Sequence, residues 1–320
     1  MINRRTLRVK VLQLLYSFYH QSVQSGDIPK LQLKISKELD KSIKEIEKNF
    51  YDILAISIIL KKINEEKREI ARTEKIKKSK SRFNLSDNKV VNFIETNSRV
   101  IDGLIKYENK WDKETEEIRV WYNILLEEDF YKDYIKIENP TFDDDYNFFV
   151  ELSLKFLIKN EVIIKFFEEN NIFWSEDFLI VRSMLKKTVK SMNSSNFNTF
   201  AVASLSEDIK EDLKFAGSLF DIVVQDTNEY DVYIKKYAKN WDLERITLMD
   251  RSILRMGIGE MLTFSNIPIK VTINECIDIA KNYSSPKSGK FINGLLDVIS
   301  LNLHKEGKLI KSGKGLIDNK

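Results

Sequence analysis

Residues 272–299, TINECIDIAKNYSSPKSGKFINGLLDVI, read as two amphipathic helices joined by a short polar turn. Ile273, Cys276, Ile277 and Ala280 recur at helical spacing, and Phe291, Ile292, Leu295, Leu296 and Ile299 do so again after the turn. Thr272, with Glu275 three residues on, matches a capping box and predicts a helix start at Thr272. Ser285 followed by Pro286 has the form of an N-cap with proline in the first helical position.

The same texture extends outward. Ile246, Met249, Ile253 and Met256 predict a helix from near Leu243, closed by the turn SNIP at 265–268. Leu213, Ala216, Leu219, Phe220 and Val223 predict another, and Tyr230, Tyr233, Ile234 and Tyr237 a short one. Between Asp27 and Ala216 stand one glycine, Gly103, and two prolines, Pro29 and Pro140. A sheet protein needs turn residues far more often, so the fold class is all-α.

With 320 residues, 42% of them hydrophobic, the chain is long enough for a sizeable core and one to three domains. The net charge of +3 excludes a uniformly basic nucleic-acid coat, so any anion site is a local patch. One cysteine, Cys276, excludes an internal disulfide, and its place on an apolar face reads as a buried structural thiol. The opening lacks a secretory signal's plan, and the longest apolar stretch, ILAISIIL at 53–60, is too short to span a bilayer. The expectation is a soluble, cytoplasmic protein.

The first helix, from about Asn3 to Gln21, carries Arg4, Arg5, Arg8 and Lys10 in its first turns. The helix dipole already places partial positive charge there, so these cations do nothing for local stability. An anion site and an ordinary charged N-terminus both fit. Residues 61–82 hold ten basic and four acidic residues, read as a solvated helix end and loop in preference to a second anion site. His20 and His304 have no ligand-spaced partners, and neither a phosphate-binding loop nor a dinucleotide fingerprint is present. No metal, cofactor or enzyme is expected.

From Trp241 onward the residues resemble the signature of the NusB family of transcription antitermination factors. The match runs through Trp241 and Arg245, then Asp250, Arg251, Leu254 and Arg255, then Ile267, Pro268, Lys270, Val271, Ile273, Asn274 and Glu275. It continues with Ala280 and Lys281, and with Lys290, Phe291, Asn293, Gly294, Leu296 and Asp297. RRTLRVKVLQLLYSF, at 4–18, resembles the family's Arg-rich first helix.

The resemblance implies two three-helix subdomains that bind boxA single-stranded RNA together with NusE, a small-subunit ribosomal protein, in the transcription elongation complex. It implies an RNA surface made of Arg4, Arg5, Arg8, Lys10, Lys281, Tyr283, Lys287, Lys290 and Phe291. It also implies a partner-facing helix carrying Asp250 and Glu260. By spacing alone Phe291 reads as core; the resemblance moves it to the RNA surface. An acidic pair commonly precedes the family's loop serine, whereas Pro286 and Lys287 stand here. Alanine at Arg4, Arg5 and Arg8 together is expected to weaken RNA binding and leave the fold intact.

The expected organisation is a discontinuous NusB-like domain at 1–28 and 200–305, a helical insert of unassigned role at 29–199, and a flexible tail at 306–320. Two other readings are a helical adaptor without an RNA role and the NusB-like module of a ribosomal RNA cytosine methyltransferase. The second would need a cofactor-binding domain after residue 305, where only a short tail follows.

Overall fold

The computed structural model describes every residue except 1, 75–79, 108–110, 112–114, 193–199, 239–242, 315 and 317–320. Trp241 and part of the basic stretch at 61–82 therefore lie outside the described residues. Those described form helices and no strand, as the glycine and proline spacing requires.

Two long helices open the chain, α1 (Arg4–Ser22) and α2 (Ile28–Thr73). A set of shorter ones follows: α3 (Lys89–Thr96), α4 (Ser98–Lys106), α5 (Thr115–Leu125), α6 (Asp129–Tyr134) and α7 (Phe142–Glu151). A π-helical turn, Leu152–Phe156, leads into α8 (Leu157–Lys159), then α9 (Glu161–Asn170) and α10 (Trp174–Lys190). The last group is α11 (Ile209–Gln225), α12 (Thr227–Tyr237), α13 (Leu248–Thr263), α14 (Ile269–Tyr283) and α15 (Ser288–Lys305). Backbone contacts divide the chain into two compact units, one of 44–207 and one of 2–43 with 208–320. The division falls at 43/44, inside α2, which starts at Ile28 and runs unbroken through it, and at 207/208, just before α11; the expected bounds were 28/29 and 199/200.

In the 2–43/208–320 unit the central helix is α13, buried on all sides from 252 to 261. A helix apolar all round has neighbours all round, and α13 packs against α1, α11, α12, α14 and α15. Close approach is possible because Gly257 lacks a side chain. A Cβ there would lie 3.0 Å from Cys276 Sγ and 3.1 Å from Leu296 Cδ1. Cys276 is buried as expected, and burial pushes its thiol pKa up, well away from reactive thiolate.

Three local expectations are corrected. The helix carrying Ile253 and Met256 does not start near Leu243; a 3₁₀ turn at Leu243–Arg245 comes first, and Thr247 caps α13 by accepting from Asp250 N at 3.1 Å. Thr272 is not an N-cap, because α14 begins at Ile269 after Pro268 and the Thr272 hydroxyl turns inward to a carboxylate. Ser285-Pro286 forms a turn, and α15 begins at Ser288.

The expected flexible tail is anchored through Ser312. Gly307, at φ 69°, closes α15 in a Schellman motif, with Lys308 N donating to Leu303 O and Gly307 N to His304 O, each at 3.0 Å. Beyond it Lys311 Nζ donates to Phe264 O at 3.0 Å, and Ser312 N to Ser265 O at 3.0 Å.

The 44–207 unit is built round α2, buried on nearly every side from 50 to 61. Asn64 is a fully used polar hub: Nδ2 donates to Tyr122 and Tyr131 hydroxyls at 2.8 and 3.2 Å, while Oδ1 accepts from Ser86 N and Oγ at 3.0 and 2.7 Å. The isolated Gly103 also finds its reason here. A Cβ would lie 2.2 Å from the ring of Tyr51, which is itself stacked on Tyr107 at 5.9 Å. Gly103→Ala is therefore expected to destabilise this unit by about 1–3 kcal/mol, as overpacking does. Thermal unfolding measures it as a lowered midpoint, by roughly 2–4 °C per kcal/mol.

Candidate nucleic-acid interface

The N-terminus of α1 is set by Asn3, whose side chain accepts from Thr6 N at 2.9 Å. One turn further on, the helix period separates the cations into two kinds. Arg4 and Arg5 stay on the outside. Arg4 Nη2 lies 2.6 Å from Glu211 Oε1, with its guanidinium 4.1 Å over the Phe215 ring. Arg5 donates to Glu275 at 2.9 and 2.9 Å and to Asp278 at 2.9 Å, and its side chain stays 49% exposed.

Arg8 and Lys10 point inward, at 3% and 1% exposure, which corrects the expectation that both face RNA. Arg8 forks onto Glu260 in a bidentate pair, Nε to Oε2 at 2.6 Å and Nη2 to Oε1 at 2.9 Å. Thr272 Oγ1 adds a bond to Glu260 Oε1 at 2.6 Å, and Glu275 lies 3.8 Å from Arg8 Nη1. Burial would lower the Arg8 pKa, but the Glu260 bonds and the charges of Glu260 and Glu275 outweigh it, so the net direction is up. Glu260, 1% exposed, is therefore a strut between α1, α13 and α14 and not a partner-facing carboxylate.

Asp250 is corrected in the same way. It is 7% exposed and accepts from Ser284 Oγ at 2.7 Å and Ser288 Oγ at 2.9 Å. Its work is to hold the loop between α14 and α15. Arg255, of the same sequence motif, pairs bidentately with Asp231 at 2.8 and 2.7 Å over the Tyr19 ring. The signature residues of α13 thus tie helices together.

Around that fixed loop stands the second group of cations. Lys287 and Lys290 are exposed, and Lys281 Nζ lies 3.0 Å from Asp278 Oδ1. Tyr283 and Phe291 are half-buried, between the core and the surface readings. Asp278 accepts from both Arg5 and Lys281, so α14 carries a continuous charged row from α1 toward the loop. Hydrogen bonding to Lys281, then the charges of Lys281 and Arg5, lowers the Asp278 pKa.

Lys214 and Lys314 escaped the sequence reading. With Arg4, Arg5, Phe215 and Phe264 they line a groove of about 810 Å³ at the α1 N-terminus. No spacing signal links them, since they meet only through the fold. Among the described residues no cluster of His, Cys, Asp or Glu suits a metal ion, and no helix is long and apolar enough to cross a membrane.

The family model described as "NusB family" matches residues 180–300. The transcription antitermination protein NusB of Salinibacter ruber is 48% identical over 103 residues, 32% of this chain and 64% of that protein. The Chloroherpeton thalassium protein of the same name is 43% identical over 117 residues, 36% of this chain and 56% of its own. The Dictyoglomus thermophilum protein, also named NusB, is 46% identical over 99 residues, 31% of this chain and 68% of its own. The chain thus spans less than two thirds of the first two relatives.

Proposed function

Because this chain belongs to the NusB family, we propose that it is a transcription antitermination factor that holds boxA-like single-stranded RNA together with NusE, the small-subunit ribosomal protein. In this reading it tethers that RNA to the elongating polymerase and suppresses termination during ribosomal RNA synthesis. It acts by binding and has no catalytic step. The discontinuous unit of 2–43 and 208–320 carries the activity, and 44–207 is an elaboration of it.

The observation that supports the reading is the row of outward cations, Arg4, Arg5, Lys281, Lys287 and Lys290, on helices braced from inside. Phosphates take the place of Glu211, Glu275 and Asp278 as partners of Arg4 and Arg5. Exposed ion pairs are worth about 0–1 kcal/mol, so the exchange costs little. Binding releases counterions whatever the base sequence. Tyr283 and Phe291 then offer ring faces to unstacked bases, at about 1–3 kcal/mol per base. Arg8, Lys10, Asp250 and Glu260 keep this surface in shape without touching RNA or partner.

The test is affinity for a boxA-like RNA against a scrambled one, with and without NusE, across a salt series. Selective binding that tightens with the partner supports the proposal. Equal, weak binding to both RNAs, unchanged by NusE, removes it.

A further inference from the structure

The first part of α2 carries a row of cations that the boxA reading does not use. Lys30, Lys34, Lys37 and Lys41 follow one another at i, i+4, i+7 and i+11, and all four are exposed. At 3.6 residues per turn they fall within an arc of about 60°, and at 1.5 Å per residue the row is about 16 Å long. The roll of the helix is fixed from the other side. Leu31, Ile35 and Leu39 are buried, and Gln32 Nε2 donates to Asp221 Oδ1 on α11 at 3.0 Å. The lysines therefore face solvent on the 2–43/208–320 unit.

Nothing in the helix itself calls for them. Like charges at i, i+3 and i, i+4 destabilise a helix. Lys30 also stands in the first turn, where the dipole already places partial positive charge. Glu38 and Asp40 share the stretch. Yet among the described residues no ion pair or side-chain hydrogen bond engages any of the four lysines. Two lysines further along the same helix are by contrast neutralised. Lys48 Nζ lies 3.1 Å from Glu45 and 2.9 Å from Asp52, and Lys61 Nζ lies 2.6 Å from Glu95.

The chemistry narrows the partner. The apolar face of this stretch is spent in the core, so it has nothing to sink into a lipid surface. Protein interfaces are anchored by aromatic and arginine side chains, and none stands between Lys30 and Lys41. Lysine is a compact point charge without a fork to read a base edge, which suits phosphates met one after another. A stacked strand rises about 3.4 Å per phosphate, so about five phosphates pass along the row. We propose that this face of α2 binds the sugar–phosphate backbone of an RNA strand by charge alone, whatever its sequence. The contact needs neither boxA bases nor NusE. It gives the flanking transcript a second hold on the unit that, in the reading above, holds boxA.

The test follows a fluorescent oligouridine, which lacks boxA, as it binds the full chain across a salt series. The row variant is Lys30→Gln/Lys34→Gln/Lys37→Gln/Lys41→Gln. Because the row lies outside the core, this variant is expected to unfold at the parent's midpoint or above it. Each phosphate contact on a single strand contributes about 0.7 to the slope of log affinity against log salt. The slope is therefore expected to fall by about 2.8, and binding at about 0.1 M salt to weaken more than tenfold. A control removes the same charge from exposed lysines on four other elements, as Lys155→Gln/Lys159→Gln/Lys165→Gln/Lys186→Gln, and is expected to leave the slope nearly unchanged. An unchanged slope in the row variant overturns the proposal. An equal fall in the control overturns it too, since that marks an effect of net charge. Binding to phosphatidylserine vesicles that the row variant loses, with its oligouridine slope unchanged, overturns it in favour of a lipid surface. The boxA test compares RNA sequences with and without NusE, so either reading can fail without the other.

Discussion

The Arg8→Ala protein is expected to lose about 3–5 kcal/mol of stability in the 2–43/208–320 unit, the cost of stranding a buried charge. Glu260 is 1% exposed and takes both prongs of the Arg8 fork, at 2.6 and 2.9 Å. Without the guanidinium its carboxylate cannot return to water unless α1 moves off α13. Urea unfolding followed by circular dichroism measures the loss. At slopes of about 1–3 kcal/mol per molar, the midpoint falls by roughly 1–5 M. Arg8→Lys keeps the charge without the fork and should fall between the two. Arg8→Met combined with Glu260→Leu removes both charges and should recover most of the stability.

The loss should not depend on pH between 6 and 9 from the arginine side. The folded pKa of Arg8 is raised, so its contribution is complete below its unfolded pKa and fades only as pH climbs past the folded one. A loss under about 1 kcal/mol would mean the pair is screened like a surface bridge. Arg8 would then rejoin the RNA-facing set.

Sequence spacing read this fold well where neighbours along the chain decide it. Helix α1 spans Arg4–Ser22 against an expected Asn3 to Gln21, because Leu7, Val11, Leu14, Leu15 and Phe18 mark one face. Spacing misled where a distant partner decides. Thr272 looks like a cap beside Glu275, yet its hydroxyl is taken by Glu260, twelve residues back on another helix. Arg4, Arg5, Arg8 and Lys10 look like one patch, and nothing local shows that Arg8 has its carboxylate 252 positions away. Asp250 and Glu260 resembled surface groups for the same reason. The burial of Asn49 was invisible too, since an asparagine at one position of a long helix carries no sign of what packs over it.

These separate roles set the second large effect. Alanine at Arg4 and Arg5 together, with Arg8 kept, is expected to leave the unfolding midpoint within the small range of exposed ion pairs and to act on RNA instead. Each phosphate contact on a single strand contributes about 0.7 to the slope of log affinity against log salt, so losing two lowers the slope by about 1.4. That corresponds to roughly 25-fold weaker binding at 0.1 M salt, fading toward none near 1 M. Glu211, Glu275 and Asp278, left without their arginines, add repulsion of the phosphates and push the effect upward at low salt. Phosphate contacts carry no base sequence, so boxA-like and scrambled RNA should weaken alike. Phe291→Ala should instead shrink the difference between the two RNAs while the salt slope stays. An unchanged slope in the double variant would mean that RNA does not reach the α1 N-terminus, and the lysines of α14 and α15 would have to carry the binding alone.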